Sequence, residues 1–383
     1  MHATSNRPAK RRTSLGRKLL LAMGSALATL TLLEGGLRLF CPLPPAAADR
    51  VHRYLPSWTA IGPAPRTLRT DPGTLHGVTP GIVDNAFNRF GFLYPEERHQ
   101  RREAAELRIA VVGGSTVECS MLAPSKRWPA VLETELQARL ARPVTVLNLG
   151  LSAQDTRTHL ATTSHIVTDL DVDACVFLVG TNDLGMVTSS NHPMLENDAF
   201  LPPPRWSRMV TNLLNDTQIA RHLRVLREPR QGEGTTPYFA KAAAFQASLP
   251  PLAEDLRATA TGLDHYARNV VTLAGICKEH GIAVLFTTQP CMFPPDPTPE
   301  QLRVYWGCHT GTHRISANNF VALLAVANER LRSTCAQHDY PCVDLASAVP
   351  KGLDWFYDQV HFNEAGARRV AEALVEPVCS LLR

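Results

Sequence analysis

Residues 107–118, LRIAVVGGSTVE, decide the fold class of this chain, because an apolar run leads directly into a glycine turn and a serine. Four more apolar runs follow along the chain, and none shows the alternation of a half-exposed strand. They are VTVLNLG (144–150), ACVFLVG (174–180), IAVLFTTQ (282–289) and PCVDL (341–345). Strands that are apolar on both faces are typical of a parallel sheet covered by helices on both sides.

Stretches with helical spacing separate these runs. They are WPAVLETELQARLA (128–141), the stretch around RTHLATTSHIVTDL (157–170), HYARNVVTLAGICKEHG (265–281), ANNFVALLAVANERLRSTCAQH (317–338) and NEAGARRVAEALVEPVCSLL (363–382). Alternating strands and helices predict one doubly wound α/β domain over 106–383. An insertion at about 186–256 interrupts the alternation after the third strand. Residues 41–105 are rich in Pro, which predicts a stalk and packing extension rather than a domain.

The N-terminus combines a basic cluster at 1–18 with an apolar segment at 19–40. This pattern predicts a cytoplasmic tail and a transmembrane helix that leaves the body outside the cytoplasm, with Glu34 and Arg38 near the far interface. A cleaved signal peptide is the alternative, since Ala46 and Ala48 offer small residues for cleavage. Without the six basic residues before Leu19, 33 basic residues remain against 35 acidic ones, so no nucleic-acid partner is indicated.

Export makes the cysteines informative, because disulfides persist in oxidising compartments. Cys335 and Cys342 flank a short connection between a helix and a strand, and Cys291 and Cys308 flank a Pro-rich loop. Either pair could bridge, and the sequence does not fix the connectivity. Buried free thiols are expected at Cys119 and Cys175, which lie beside predicted strands.

Polar groups stand where the predicted strands end. Ser115 follows the first strand, Gly150 ends the second, and Asn182 follows the third in LVGTNDLG. Ligands of open parallel sheets bind at these carboxyl ends. Near the C-terminus, FYDQVHFNEAGARR places Asp358 three residues before His361.

Acyl transfer requires such groups. His361 can act as the base for a Ser115 nucleophile while Asp358 holds the imidazole tautomer. The amides of Ser115 and Gly150 and the side chain of Asn182 can form an oxyanion hole.

The order GGSTVE, NLG, GTND and DQVH resembles the four blocks of the SGNH hydrolase superfamily, also called GDSL esterases and lipases. The resemblance covers about 107–383 without the insertion. It implies a flavodoxin-like three-layer α/β/α fold, with the roles given above for Ser115, Gly150, Asn182, Asp358 and His361. Gly114 occupies the position at which Asp is commoner in the family. This position is not part of the triad, so the difference bears on the subfamily of the chain more than on its catalysis. Bacterial members with a similar N-terminal anchor exist, which suggests the inner membrane with a periplasmic or extracellular body.

These observations predict a serine esterase that works through an acyl-serine intermediate, on a short acyl ester of an envelope carbohydrate or on a lipid, without cofactor or metal. An envelope O-acetyltransferase acting on a polysaccharide shares the intermediate and is the main alternative. A non-catalytic envelope binding protein is a third possibility. Secretion after signal cleavage is the alternative location.

A dinucleotide site is disfavoured, because GGSTVECS lacks the third glycine of that fingerprint. Cys308, His309 and His313 offer an incomplete zinc set.

Overall fold

A computed structural model of the chain describes residues 15–41, 66–184, 217–219, 222, 244–252, 261–309 and 313–382, except for single positions 71, 74, 89, 96, 101, 104 and 153. The chain divides into two compact units. The first comprises Met1–Ala47 and Asn197–Thr235, and the second comprises Ala48–Glu196 and Thr236–Arg383. Most of the insertion expected at 186–256, and most of the tail expected at 1–18, lies outside the described residues.

Helix α1, Leu15–Phe40, is the main described element of the first unit. Its segment Lys18–Phe40 has a mean hydropathy of 1.5 and is long and apolar enough to be a membrane span or a signal sequence. Near its end, Glu34 accepts hydrogen bonds from the backbone amides of Gln218 (2.8 Å) and Ile219 (3.0 Å). Negative charge at the first amides of a helical turn is favourable, so Glu34 stabilises that turn.

A parallel sheet of five strands forms the centre of the second unit, in the order β4-β3-β5-β6-β9. The strands are β3 (Leu107–Gly113), β4 (Val144–Gly150), β5 (Ala174–Leu178), β6 (Ala283–Thr287) and β9 (Cys342–Val343). Every residue of β3 and β5 is buried, which explains why these strands are apolar apart from Arg108. The order changes direction beside β3, so a crevice opens there at the carboxyl ends of the strands.

The described helices of this unit alternate with the strands along the chain, and several of them pack on the sheet. They are α2 (Glu97–Gln100), α3 (Ser115–Glu118), α4 (Trp128–Leu140), α5 (Thr156–His165), α6 (Thr261–Glu279), α7 (Pro299–Arg303), α8 (Ala317–Gln337), α9 (Leu345–Ala348) and α10 (Glu364–Leu381). Helices α4 and α10 pack together, as do α5 with α6 and α6 with α8. The predicted flavodoxin-like three-layer α/β/α fold is confirmed.

A β-hairpin lies in the region expected to be a stalk and packing extension. Strands β1 (Arg66–Thr70) and β2 (Val83–Phe87) pair antiparallel. Two further short strands, β7 (Cys308–His309) and β8 (Arg314–Ile315), form a separate antiparallel pair. The hairpin is held by the core: Thr70 Oγ1 donates to the Ser120 carbonyl (2.7 Å), and the side chain of Asn85 accepts from Arg127 (2.6 Å). The described part of this region is therefore packed structure.

Candidate active site

Ser115 lies where the central strand β3 meets α3. Two glycines allow this turn, because neighbouring groups approach the backbone closely. A Cβ on Gly113 would come within 2.5 Å of the Leu178 carbonyl oxygen, and one on Gly114 would come within 2.4 Å of Asn182 Nδ2. Ser115 is the first residue of α3 and is half-buried, so its hydroxyl stands at the carboxyl end of the sheet.

Asp358 and His361 reach the same place from the loop before α10. His361 Nε2 lies 2.7 Å from Ser115 Oγ, and His361 Nδ1 lies 2.7 Å from Asp358 Oδ2. Asp358 Oδ1 also accepts the amides of Val360 (2.9 Å) and His361 (2.8 Å). Only 2% of Asp358 is exposed, so these protein N–H groups replace the hydrogen bonds that water would make to its carboxylate. The three side chains form one continuous hydrogen-bonded chain.

Asn182 follows β5 and lines the same cavity as Ser115. Its Nδ2 atom donates to the carbonyl of Gln154 at 2.7 Å. Asp183, the next residue, accepts from the amide (3.0 Å) and hydroxyl (2.6 Å) of Thr156 and from the amide of Gly180 (3.2 Å). The turn that carries Asn182 is therefore fixed to both the end of β5 and the start of α5.

Gly150 differs from its expected role. Its amide donates to Asn148 Oδ1 at 2.9 Å, so that donor is already bound within the chain. A Cβ at this position would come within 2.1 Å of the Glu118 amide nitrogen. The absence of a side chain lets β4 pack against α3. In this structure Gly150 is a packing position, which corrects the expectation that its amide points at an oxyanion.

Two buried ionisable groups lie behind the site. Burial raises the pKa of Asp183 to about 7, the nearby Asp155 carboxylate adds to this shift, and hydrogen bonds from Thr156 and Gly180 oppose it. Burial also lowers the pKa of His159 to about 4, against the influence of Asp155. Both groups therefore favour their neutral forms, as expected for an interior of low dielectric.

A small cavity of about 10 Å³ lies beside Ser115. That volume accepts about one water-sized group. The residues that line it come from the ends of β3, β5 and β6 and from α5 and the loop before it. They include Thr116, Gln154, His159, Thr181, Asn182 and Gln289.

Some residues that support the site were not predicted from the sequence. The indole of Trp306 donates to Asp358 Oδ2 at 3.0 Å, and the side chain of Gln359 accepts from the Trp306 amide at 3.2 Å. No motif marks Trp306, which lies 52 positions from Asp358. Asp183 stands within the GTND block and could have been found from it. Of the incomplete zinc set, the side chains of Cys308 and His309 lie outside the described residues.

The family model of the GDSL-like Lipase/Acylhydrolase family matches residues 111–369. This match covers more than half of the chain, so the protein belongs to that family, within the SGNH hydrolase superfamily. The protein is accordingly a serine hydrolase that acts on ester bonds, and the predicted enzyme class is confirmed.

Several solved structures are similar to the chain. LAE5, an α/β-hydrolase enzyme from the metagenome of Lake Arreo, Spain, is 14% identical with a TM-score of 0.42, over 73% of this chain and 98% of that one. Axe2, an acetylxylan esterase from Geobacillus stearothermophilus, is 13% identical with a TM-score of 0.42, over 71% and 94%. A GDSL-like lipase from Bacteroides thetaiotaomicron is 11% identical with a TM-score of 0.38, over 75% and 91%. No curated protein sequence matches the chain.

Proposed function

We propose that the protein cleaves short acyl esters through a covalent acyl-serine intermediate on Ser115, with His361 as general base and Asp358 as its orienting acid. The observation that carries the proposal is the hydrogen-bonded chain from Ser115 Oγ through His361 (2.7 Å) to Asp358 (2.7 Å). A serine hydroxyl is a weak nucleophile until a neighbouring base accepts its proton.

The reaction proceeds in two halves. Ser115 Oγ attacks the ester carbonyl carbon as its proton passes to His361 Nε2. The tetrahedral intermediate then expels the alcohol, which takes that proton. A water molecule attacks the acyl-serine in the same way, giving its proton to His361, and the acid leaves as Ser115 recovers its hydrogen. Asp358 stabilises the imidazolium in both halves and stays ionised.

The proposed oxyanion donors are the Ser115 amide and Asn182 Nδ2. Ser115 begins α3, and amides in a first helical turn have no partner within the helix. The Asn182 amide group carries two N–H bonds, of which one serves Gln154 and the other is left for the reacting oxygen. Donors fixed in advance stabilise the developing charge most strongly.

The proposed acyl group is short. The cavity beside Ser115 has a volume of about 10 Å³, which suits a methyl group better than a longer chain. Its lining combines the polar side chains of Thr116, Asn182 and Gln289 with apolar surface at Leu178 and Val179. This favours an acetyl ester, and an envelope location makes an acylated carbohydrate the first choice of substrate.

We also propose that α1 anchors the protein in the bacterial inner membrane, with the N-terminus in the cytoplasm. The basic residues before Leu19 support this orientation. The contacts of Glu34 with the Gln218 and Ile219 amides support retention of the helix, since signal cleavage near Ala46 would separate them. The body would then be periplasmic or extracellular.

Rates on a series of nitrophenyl esters, from acetate to octanoate, test the acyl preference. We expect the rate to fall steeply beyond acetate or propionate. Gln289→Ala should widen the cavity and shift the preference towards longer chains, while the exposed control Leu302→Ala should not. A flat profile, or a maximum at octanoate in the wild type, would contradict the short-acyl proposal.

Product analysis with an acetylated glycan distinguishes the possible acceptors. Release of free acetate in the presence of a second, unacetylated glycan supports hydrolysis. Transfer of the acetyl group to that glycan would instead identify an O-acetyltransferase. Cleavage of a phospholipid but not of the glycan would replace carbohydrate by lipid as the substrate class.

Membrane fractionation and protease treatment of spheroplasts test the topology. We expect the intact chain in the membrane fraction and digestion of the body without lysis. A soluble mature form that begins near Asp49 would show signal cleavage, and a protected body would contradict the orientation.

A further inference from the structure

The Asp358 carboxylate has one partner that comes from a distant loop. Besides His361 and two backbone amides, Asp358 Oδ2 accepts the indole N–H of Trp306 at 3.0 Å. Trp306 lies between α7 and β7, and it is half-buried. We propose that Trp306 is a positioning residue: its N–H fixes the Asp358 carboxylate towards His361 and limits how strongly that carboxylate attracts the imidazolium. This inference rests on the proposed function.

The backbone around Trp306 is held by the residue that follows the catalytic aspartate. Gln359 Oε1 accepts from the amides of Trp306 (3.2 Å) and Gly307 (3.3 Å), and Gln359 Nε2 donates to the Gly307 carbonyl (3.0 Å). Only 3% of Gln359 is exposed, so these bonds form away from water. Removing one partner of a buried amide destabilises the fold, because a polar atom is then left without a hydrogen bond away from water. These bonds therefore hold the loop in place.

Gly307 lets the loop adopt this conformation. Its φ is +95°, in the left-handed region, and a Cβ there would come within 2.8 Å of Gln246 Cδ. The loop is thus confined from two sides, by Gln359 and by Gln246. As a consequence the indole N–H has little freedom to leave the Asp358 carboxylate.

The rings around His361 also fix its plane. The Trp306 ring is nearly parallel to the imidazole, with centroids 6.4 Å apart and an interplanar angle of 20°. The Tyr357 ring is parallel within 4° at 5.5 Å. A fixed imidazole plane keeps Nδ1 on Asp358 and Nε2 on Ser115 together, which acyl transfer requires.

The charged neighbourhood determines the expected pH effect. Tyr357, on the same loop, is a titratable neighbour whose ring stacks on His361, and its phenol in turn feels the charges of Asp358 and of Cys119 and Glu118 at the end of α3. Burial raises the pKa of Tyr357 well above its ordinary value, so its phenol stays neutral. Loss of the indole donor leaves a carboxylate with less of its charge compensated, and this favours the protonated imidazole.

The test compares Trp306→Phe with Trp128→Phe. The first removes an N–H from Asp358, whereas the second removes an indole donor from the Thr116 carbonyl in the core (2.9 Å). For Trp306→Phe we expect a fall in kcat of about 10- to 100-fold with KM similar, since a hydrogen bond to a charged group contributes that much. The acid limb of kcat/KM should move to higher pH by about half a unit. Trp128→Phe should lower Tm without moving the acid limb.

A second variant and a second measurement separate loss of positioning from a failure to fold. Gln359→Met should release the loop and reproduce the Trp306→Phe shift, and it replaces that variant if Trp306→Phe does not fold. The titration of His361 is also measured by NMR in the Ser115→Ala background, where no turnover interferes. An unchanged titration and a wild-type kcat in Trp306→Phe would overturn the positioning role. An active Ser115→Ala protein would instead overturn the proposed function.

Discussion

Asn182 Nδ2 lies 2.7 Å from the carbonyl oxygen of Gln154, and this contact joins the turn after β5 to the loop before α5. The same nitrogen lies against Gly114, where an added Cβ would come within 2.4 Å of it. Asn182 can therefore brace two loops and still present an N–H beside Ser115. Bracing the loops and donating an N–H to the reacting oxygen can be separated by experiment, because only the donated N–H would act on the transition state.

Asn182→Ala should lower kcat by about 10²- to 10³-fold and leave KM similar, because an oxyanion donor acts mainly in the transition state. Steady-state kinetics on an acetyl ester measure both constants. A thermal melt provides the control for folding. A normal kcat with a lower Tm would show that Asn182 only braces the Gln154 loop.

Asp358→Asn should retain the fold and lower kcat by about 10²- to 10⁴-fold, because an amide neither enforces the imidazole tautomer nor stabilises the imidazolium. The surface variant Asp354→Asn, in the same loop, is the matched control and should be close to wild type. Equal activity of Asp358→Asn and wild type would remove Asp358 from the mechanism.

Asp183→Asn should change how stability depends on pH. Burial raises the pKa of Asp183 from 3.8 to about 7, so the native state holds an extra proton between these values. The stability that this group contributes is fully present below about pH 4 and is lost as pH rises towards 7. The Asn variant should therefore gain stability relative to wild type across that window.

Urea unfolding of both proteins at several pH values from 4 to 8 measures this difference. His159, whose pKa burial lowers to about 4, contributes with the opposite sign. It is present in both proteins, so its effect cancels in the comparison. A difference that stays constant with pH would show that Asp183 titrates alike in the folded and unfolded chains.

Cys335 and Cys342 should form a disulfide in protein isolated from an oxidising compartment. Both are free thiols in the structure, and their side chains hydrogen-bond to each other across the connection from α8 to β9. Closing so short a loop should stabilise the fold by about 2 to 3 kcal/mol in the chain-entropy model. Reductant should lower the Tm of wild type but not of the Cys335→Ala/Cys342→Ala variant. Alkylation of both thiols in unreduced, unfolded protein would contradict the bridge.

The central sheet can be predicted from sequence because local features determine it. The strands at 107–113 and 144–150 are apolar runs that end at glycines, and helical patterns separate the runs. The hairpin at 66–87 gives no such signal, because β2 is VDNAF and buries only alternate residues. Its stability comes from tertiary contacts such as Thr70 with Ser120, which the sequence does not reveal.

In the site, too, some residues can be predicted from local sequence and others depend on tertiary contacts. Ser115, Asn182, Asp358 and His361 stand in short motifs, and the structure brings them together at one edge of the sheet. The binding of the Gly150 amide by Asn148 depends on one side-chain rotamer, which a motif does not record. Trp306 meets Asp358 only through the path of a loop between short elements, so its role could not be read from spacing.

Covalent labelling of Ser115 measures whether this serine is a nucleophile activated by His361. A serine-directed fluorophosphonate is incubated with wild type, Ser115→Ala, His361→Ala and the double variant, and the modified peptide is identified by mass spectrometry alongside turnover of an acetyl ester. We expect a single adduct on Ser115 in wild type and almost none in His361→Ala. Turnover in the double variant should be little below that of either single variant, because residues that act as a unit lose activity together. Absence of any adduct on folded wild-type protein, or losses that multiply in the double variant, would contradict the account.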